Sequence, residues 1–457
     1  MKNLLALIVV SLFLTSTSAL AQSDAELRSV IEKDKTSRDQ QGKLITMSAS
    51  EHLTRGTAYF TNRQFPEARE HLIRVVSDYP TDPGISSALF MLGRSYMWER
   101  QYALAIPYFD RVAREFPGTK DGREGLAFKG ACNVRLGKND EAARVYEQYT
   151  VMYPTGERIE SAYLNIIDAL REAGKYDDAN SWVDKTQQRF IGMASEANAL
   201  HARLRMEIFR GRWPEAVAAA DALLSSARFY GSMTSPDEVK YLKALALEKG
   251  GKRGDALTVY ASIPDTGSSY FGGLAAEKLA ASGSQVKRTS MISAKMDEFP
   301  AAYRNEVLQY SRSKALDPRF ILAIMKQEST FRPGAKSPSA ARGLLQLTMD
   351  LALKYNKKAG FNSIKADDLY DPRTNIAIGC EYIADLKGQF GGLYEAVAAS
   401  YNGGEDNVER WLNRSRPKEA AIFSSEIGFA ETKNYVFKVM TNYRIYRDLY
   451  DENLNRR

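Results

Sequence analysis

The sequence predicts an all-α protein in which an array of helical repeats is followed by a second, mainly helical segment. In the first half, a short motif ending in alanine recurs every 37 residues, at Ala68, Ala105, Ala142, Ala179 and Ala216. In the last third, apolar residues recur at helical spacing behind Asp-Pro pairs, which are typical of helix starts. Regular repetition over this interval indicates stacked helical hairpins, none of which can bury its apolar face alone.

Residues 1–21 have the pattern of a secretory signal peptide. A basic start precedes a short apolar stretch, and the small-x-small sequence Ala19–Ala21 closes it. The apolar stretch is too short to span a bilayer comfortably, and no cysteine follows it for lipid attachment. We therefore expect an exported, soluble protein that most plausibly resides in the periplasm.

The repeats occupy residues 50–260, and an aromatic-proline pair keeps the same interval as the alanine. These pairs are Tyr79-Pro80, Phe116-Pro117 and Tyr153-Pro154. The small residue suits close approach of paired helices, and the proline ends each unit because it cannot continue a helix. The array resembles tetratricopeptide repeats, with a period slightly longer than theirs.

A glutamate lies at the edge of an apolar helical face in the last third of the chain. Asp317 and Pro318 predict a helix start, and counting from there places Ile321, Met325 and Glu328 on one face. Desolvation at that edge favours the neutral acid, which can protonate a leaving oxygen. Helix position alone leaves two alternatives open, a side chain that snorkels at the end of the stripe or one that pairs with a basic residue.

Two further helices are predicted downstream. Asp371-Pro372 begins one, and the last helix carries a stripe that includes Tyr435 and Val436. The nearby acids Asp367, Asp368 and Asp371 are expected to form turns and caps rather than a metal site.

Several short motifs resemble the catalytic domain of the soluble lytic transglycosylase family. They are Glu328-Ser329, Lys336-Ser337-Pro338, Gly343-Leu344-Leu345-Gln346, Ala398-Ala399-Ser400-Tyr401-Asn402-Gly403-Gly404 and Glu431-Thr432-Lys433-Asn434-Tyr435-Val436. The family usually has Met at the position of Leu345, a nearly volume-conserving difference, and Ala at that of Gly403. Neither departure removes the acid, so we expect activity to be intact.

The resemblance implies a lysozyme-like, mainly α domain at residues 286–457, with at most a minor β element near Gly343–Leu347, behind a superhelix at residues 22–285. It implies cleavage of the β-1,4 bond between N-acetylmuramic acid and N-acetylglucosamine without water, leaving a 1,6-anhydro end. Glu328 would act as general acid and then as general base, whereas ordinary glycoside hydrolysis uses two carboxylates. No cofactor is expected.

The resemblance also implies substrate-binding or supporting roles for Ser337, Gln346, Tyr401, Asn402, Glu431 and Tyr435. From the residues alone, other interpretations stay open. Ser337 and Gln346 fit ordinary turn residues, and Tyr401-Asn402 before two glycines fits a helix C-terminus. Glu431 fits a first-turn acid favoured by the helix dipole, and Tyr435 fits a core position.

Two alternative functions remain at this stage. A muramidase that adds water would need a second carboxylate near Glu328, and Glu431 is the only candidate within the motifs. A cell-wall-binding scaffold would use the repeats to organise partners. For the repeats themselves, we expect either a protein partner on one face or a bracing role along glycan strands.

Charge and composition agree with an acidic polysaccharide partner. The net charge is +7, and from residue 281 onward 27 Lys and Arg face 21 Asp and Glu, a difference of +6. A mildly basic face favours association with the carboxylates of peptidoglycan. No run of basic residues with interleaved aromatics favours nucleic acid. Cys132 and Cys380 are expected to be buried thiols, and no Cys/His cluster or calcium-loop spacing predicts a metal.

Overall fold

The computed structural model describes residues 26–226, 228–283, 297–337 and 340–457. The predicted signal peptide lies outside these residues, and so does the predicted domain boundary between positions 285 and 286, which stays a prediction. Regular structure is almost entirely helical, which confirms the predicted all-α class; within the described ranges, β pairing is limited to isolated bridges.

The chain forms two compact units, the first ending at Thr186 and the second beginning at Gln187. The first unit contains the helices α1 (Ala49–Thr61), α2 (Phe65–Asp78), α3 (Ile85–Trp98), α4 (Tyr102–Glu115), α5 (Lys120–Arg135), α6 (Asn139–Met152), α7 (Ile159–Glu172) and most of α8 (Tyr176–Arg189). Each helix from α1 to α6 packs against its successor, which is the arrangement expected of a solenoid.

The repeated alanines are fully buried where paired helices approach each other. Ala68, Ala105, Ala142 and Ala179 all have 0% exposed surface, and each lies in the first turns of its helix. The aromatic residues of the aromatic-proline pairs are the C-caps of α2, α4 and α6. The proline that follows prevents further helix, because it disfavours helical geometry at the preceding residue. The repeat prediction is confirmed.

A second periodic series, which sequence reasoning missed, is formed by glycines on the partner helices. Gly56, Gly93 and Gly130 are also 37 residues apart. A Cβ atom at Gly93 would lie 2.6 Å from the ring of Phe109, and one at Gly130 would lie 2.7 Å from the ring of Tyr146. The aromatic ring of one helix therefore packs directly on the bare backbone of the preceding helix.

The second unit begins with further repeat helices and continues into the segment that carries the family motifs. Its helices are α9 (Ala194–Phe209), α10 (Trp213–Ser226), α11 (Pro236–Lys249), α12 (Arg253–Ala261), α13 (Tyr270–Ala281), α14 (Arg304–Arg312), α15 (Pro318–Ser329), α16 (Met349–Tyr355), α17 (Pro372–Gln389), α18 (Tyr394–Gly403), α19 (Glu405–Asn413), α20 (Ala420–Glu426) and α21 (Ala430–Leu449), with a 3-10 turn at Ala366–Tyr370.

The core after residue 297 is built around α15. Asp317 caps this helix by accepting a hydrogen bond from the Arg319 amide, and Pro318 occupies its first position, as predicted. Ile321, Ile324 and Met325 have 0% exposed surface, which confirms the apolar stripe. The helix packs against α21, so the two elements that carry the predicted acid and Tyr435 are neighbours.

The predicted cap cluster and the two thiols are also as expected. The Asp368 carboxylate accepts a hydrogen bond from the Lys365 amide, and Asp371 caps α17 through the Thr374 amide. Cys132 and Cys380 are buried free thiols. Within the described part of the chain, no helix is long and apolar enough to cross a membrane.

Candidate active site

Glu328 lies in the last turn of α15, where the buried core gives way to a half-buried position. The helix ends one residue later, and Thr330 adopts left-handed backbone geometry with φ of 50°. The carboxyl is therefore presented at the end of a rigid, buried helix rather than on a loop. Such placement fixes its direction, because the helix backbone behind it has no freedom to move.

Tyr435 reaches the Glu328 carboxyl from α21. Its hydroxyl donates a hydrogen bond of 2.5 Å to Glu328 Oε1, and its ring is 7% exposed. Burial raises the pKa of Glu328, and the hydrogen bond from Tyr435 lowers it only in part. Burial and the nearby Glu328 raise the pKa of Tyr435 well above its ordinary value, so this hydroxyl remains a donor.

The loop that carries Gly343 and Gln346 is fastened to the end of α15. Ser329 Oγ donates a hydrogen bond of 2.8 Å to the Leu344 carbonyl. Gly343 has φ of 79°, and a Cβ atom there would lie 2.1 Å from the Leu369 carbonyl. Only glycine fits this position, because both its backbone geometry and its surroundings exclude a side chain.

Asn375 holds the same loop from α17. The side chain is fully buried, and its amide donates hydrogen bonds to the carbonyls of Arg342, at 3.0 Å, and Leu369, at 2.8 Å. Its oxygen accepts a hydrogen bond of 2.8 Å from the Leu345 amide. Two of these bonds, those with Arg342 and Leu345, hold the loop against α17, and the third holds the 3-10 turn at Leu369.

Two of the predicted substrate-binding residues also brace this loop. The Gln346 amide donates hydrogen bonds to the carbonyls of Ala335, at 3.1 Å, and Gly343, at 2.8 Å. The Tyr401 hydroxyl donates to the Leu345 carbonyl. Burial and the proximity of Glu328 raise the pKa of Tyr401 well above its ordinary value. Tyr401 is therefore close to the acid, while its own proton is directed at the loop.

Ser337 and Asn402 have local partners that fit the structural interpretations left open above. Ser337 Oγ accepts a hydrogen bond of 3.1 Å from the Ala341 amide within the same loop. Asn402 lies in the last turn of α18, ahead of the C-cap Gly404 with φ of 84°. Its side-chain oxygen accepts a hydrogen bond of 2.7 Å from the Thr432 hydroxyl on α21. Asn402 is exposed and Ser337 half-buried, so both have surface available for a ligand.

Glu431 is exposed in the first turn of α21. It lies four residues before Tyr435, on the same helical face. Within the described residues, the pKa of Glu328 responds to burial and to Tyr435, with no contribution from a second carboxylate. Burial therefore favours the neutral form of Glu328, whose carboxyl accepts a hydrogen bond from the Tyr435 hydroxyl.

Sequence reasoning missed the residues that hold the site together. Ser329 was part of a motif without an assigned role, and Asn375 was not singled out. The available signal for Asn375 was a polar residue in the first turn of a helix whose next positions are apolar. For Ser329, it was a hydroxyl immediately after the acid, where the helix ends.

Chemically, this arrangement can donate one proton and take it back. The neutral form of Glu328 is favoured by burial, and the Tyr435 hydroxyl stabilises the carboxylate that remains after the proton leaves. The loop segment Leu344-Leu345 is bonded to Ser329 at the end of α15 and to Tyr401 on α18. The geometry suits general acid catalysis at an oxygen atom.

Comparison with protein families supports the same division of the chain. Residues 306–424 match the family model described as Transglycosylase SLT domain, and residues 53–119 and 133–194 match the tetratricopeptide repeat model. The chain is similar to the soluble lytic murein transglycosylases of Escherichia coli K12, 35% identical over 155 residues, and Salmonella typhimurium, 34% identical over 153 residues. Each match covers 33% of this chain and 24% of the relative, so it spans about a quarter of their length.

Solved structures extend the similarity of fold to most of the chain. An inactive mutant of the lytic transglycosylase Slt from Pseudomonas aeruginosa aligns with a TM-score of 0.54 at 16% identity, over 97% of this chain and 88% of that one. The 70-kDa soluble lytic transglycosylase of Escherichia coli aligns with a TM-score of 0.51 at 18% identity, over 93% of this chain and 85% of that one. At these identities the alignments establish the fold: a helical repeat array and a lysozyme-like domain. The chain thus carries an SLT transglycosylase domain behind tetratricopeptide repeats, and its SLT segment is homologous to the soluble lytic murein transglycosylases.

Proposed function

We propose that this protein is an exported lytic transglycosylase that cleaves the β-1,4 bond between N-acetylmuramic acid and N-acetylglucosamine in peptidoglycan. The observation that carries the proposal is the half-buried Glu328 carboxyl, with a raised pKa and a hydrogen bond from Tyr435, at the end of a buried helix of the SLT domain. This group supplies the proton that glycosidic bond cleavage requires.

In the proposed reaction, the Glu328 proton moves to the glycosidic oxygen as the bond from that oxygen to C1 of N-acetylmuramic acid breaks. The N-acetylglucosamine unit leaves with this proton on its 4-hydroxyl. The C6 hydroxyl of the muramic acid then attacks C1, and its proton returns to the Glu328 carboxylate. The product is a 1,6-anhydro end, no water is consumed, and the acid is regenerated for the next turnover.

Tyr435 is proposed to tune the proton affinity of Glu328 for both proton transfers of the reaction. Its hydrogen bond stabilises the carboxylate after the first proton transfer, while burial makes that carboxylate basic enough to accept the second proton. Support for chemistry with one carboxylate comes from the side-chain contact of Glu328 in the described part of the chain, which is a hydrogen bond from the neutral Tyr435 hydroxyl.

Substrate contacts are proposed for the residues that border the acid. Ser337, Gln346, Tyr401 and Asn402 would line the glycan groove, and Glu431 would interact with the substrate from the exposed start of α21. Since Gln346 and Tyr401 donate their protons to loop carbonyls, we propose that they bind glycan mainly by shaping the loop. Asn402 keeps its amide protons on an exposed helix end and is the better direct contact.

Export to the periplasm is proposed from the signal-peptide pattern of residues 1–21 together with the substrate. The repeats would brace the SLT domain along glycan strands or bind a cell-wall protein. Fractionation of cells that produce the full chain tests export, since a processed form that begins after position 21 should appear outside the cytoplasm. A full-length form retained in the cytoplasm would refute this part of the proposal.

The reaction is tested by mass analysis of muropeptides released from purified sacculi. The proposal predicts 1,6-anhydro ends, which are lighter by one water than hydrolysed ends. Hydrated ends would instead assign a muramidase, and sacculus binding without any release would assign a scaffold. The Glu328→Gln variant should retain sacculus binding and release nothing, which separates loss of chemistry from loss of binding.

A further inference from the structure

A buried cluster of charged side chains holds the beginning of α21 on the side away from Glu328. Lys433, 3% exposed, donates a hydrogen bond of 2.7 Å to Glu238 Oε1 on the repeat-type helix α11. Glu238 is 1% exposed, and the same oxygen lies 3.2 Å from Nε2 of the buried His201 on α9. A charged pair this deeply buried is unusual, because each partner alone would be strongly destabilising.

A second buried pair fixes the segment just before α21. Arg205 on α9 donates a hydrogen bond of 2.7 Å to Glu426 Oε2 at the end of α20. Glu426 is 1% exposed, and its carbonyl also accepts a hydrogen bond of 3.0 Å from Arg414. Both α9 and α11 are therefore attached, through buried charges, to the point where the last helix begins.

The two attachments of α21 lie on opposite sides of the helix. Lys433 and Tyr435 are two residues apart, which corresponds to about 200° around the helix axis. Lys433 is held by Glu238, and Tyr435 donates to Glu328. Around the helix axis, Thr432 lies between these two residues, and its hydroxyl donates a hydrogen bond to Asn402 of α18. A rotation of α21 that relaxed one of these contacts would strain the others.

We propose that Glu238 is a positioning residue for the active site: by holding Lys433 it fixes the rotation of α21, and with it the contact between Tyr435 and Glu328. The inference deepens the proposed function and rests on it for its catalytic readout. Helices α9 and α11, which belong to the repeat-type part of the second unit, then form part of the catalytic machinery's support rather than a detachable accessory.

The pKa values of the cluster are shifted by burial and by the charges within it. Burial alone would raise the pKa of Glu238, but Lys433 and His201 hold it below its usual value. Burial lowers the pKa of His201 to about 4, so the imidazole is neutral at the pH of growth. Burial lowers the pKa of Lys433, and the charge of Glu238 opposes that shift. Besides Glu238, the charges of Arg205 and Glu426 also act on the pKa of Lys433.

The proposed role of Glu238 predicts a specific effect on the pH profile of kcat. Turnover requires protonated Glu328, so kcat falls as the pH rises through the pKa of Glu328. Because the Tyr435 hydrogen bond lowers that pKa, loosening α21 should move this alkaline limb to higher pH. A residue that served only stability would lower Tm and leave the limb unchanged.

The test compares pH profiles of kcat and KM on purified sacculi for the wild type and Glu238→Gln. We expect kcat to fall about 3- to 10-fold, as for loss of one hydrogen bond between neutral groups, with little change in KM. The alkaline limb of the kcat profile should move to higher pH, as it should in Tyr435→Phe. An unmoved limb in folded Glu238→Gln would overturn the inference.

The matched control is Asp265→Asn, which breaks another attachment of the same helix. Asp265 accepts hydrogen bonds of 2.8 and 3.0 Å from Arg444, which is nine residues beyond Tyr435, about 13 Å along the helix. We expect this variant to have a lower Tm and the wild-type pH limb. A limb shift of equal size in Asp265→Asn would contradict a specific role for Glu238.

A second variant covers the case in which Glu238→Gln does not fold. The double variant Glu238→Gln/Lys433→Met leaves no unpaired charge at this pair, and it should show the same limb shift. If neither variant folds, the cluster is a folding element and the proposal is rejected. Failure of the proposed function and failure of the positioning role are distinguished by a carbon-13 NMR titration of the Glu328 carboxyl, which needs no activity. Wild type without anhydro products would refute the proposed function, while a raised Glu328 pKa in the variant would still support the positioning role.

Discussion

Two carboxyls, one in each unit, accept a hydrogen bond from a tyrosine, and their pKa values are shifted in opposite directions. Asp34 in the first unit accepts a hydrogen bond of 2.8 Å from Tyr59, and Glu328 in the second accepts one of 2.5 Å from Tyr435. Burial would raise both pKa values. It prevails at Glu328, whereas the pKa of Asp34 is held below its usual range.

The difference lies in the other donors. Asp34 also accepts a hydrogen bond of 2.6 Å from the Arg55 guanidinium and contacts His71 Nε2 at 2.9 Å, and these contacts stabilise its negative charge. Glu328 has only the neutral tyrosine hydroxyl as a side-chain partner among the described contacts. A carboxyl removed from water thus becomes a structural ion when a guanidinium pairs with it, and a proton donor when its partner is a neutral hydroxyl. The same substitution should consequently have opposite effects at the two sites.

The largest expected effect is loss of activity in Glu328→Gln. Removal of the group that donates and retakes the proton should reduce release of muropeptides by at least about 10³-fold, which leaves no detectable release. Release is measured by chromatography and mass analysis of digested sacculi. The matched control is Asp34→Asn, which changes a buried carboxyl to an amide and should keep the wild-type rate per folded molecule. Equal losses in both variants would contradict the distinction.

The second effect is loss of stability in Asp34→Asn. The buried Arg55 guanidinium would keep its contact with Glu51 but lose its buried anionic partner, which should lower the free energy of unfolding of the first unit by about 3 kcal/mol. Because the folded pKa of Asp34 is depressed, its contribution is present above the unfolded pKa and lost as the pH falls through the folded pKa. Denaturation at neutral and acidic pH should therefore show a difference that shrinks in acid. A constant difference would refute the ionic role.

A smaller effect is expected for Tyr435→Phe. Loss of one hydrogen bond to the Glu328 carboxylate should reduce kcat about tenfold. The pKa of Glu328 should rise, because the lost bond favoured the charged form. The alkaline limb of the kcat profile would then move to higher pH. A limb that moved to lower pH would indicate that Tyr435 stabilises the protonated acid instead.

The smallest effect is a gain in stability in Glu328→Gln. The folded pKa of Glu328 is raised, so the folded state is penalised as the pH rises above the unfolded value, and the amide removes this penalty. Tm should be slightly higher than in wild type at neutral pH, and this gain should vanish at pH values below the unfolded pKa. A lower Tm for the variant at neutral pH would contradict the raised pKa.

The repeat array could be predicted almost completely from the sequence, because its contacts are local and periodic. The alanine at position 142, for example, repeats at a fixed interval and is fully buried. The acid and its helix were also predictable, since Asp317, Pro318 and the apolar stripe define where Glu328 lies. In each case, spacing along the chain determines the contact.

The supports of the site could not be predicted in the same way. Asn375 contacts Leu345 in the Gly343 loop, 30 residues away in the chain, and Glu238 contacts Lys433, 195 residues away. Such contacts follow from packing of distant helices, which no local period encodes. The role of Gln346 in bracing its own loop likewise depends on a backbone turn with φ of 46°, which the residue type alone does not indicate.

The measurement that tests the account most directly is a carbon-13 NMR titration of the carboxyl groups in the full chain, with Glu328 assigned by its absence in Glu328→Gln and Asp34 by its absence in Asp34→Asn. The pKa of Glu328 should lie above the ordinary value of a glutamate, and the pKa of Asp34 below that of an aspartate. If Glu328 instead titrates at or below the ordinary value, it is not a protonated acid under working conditions, and the proposed mechanism is wrong.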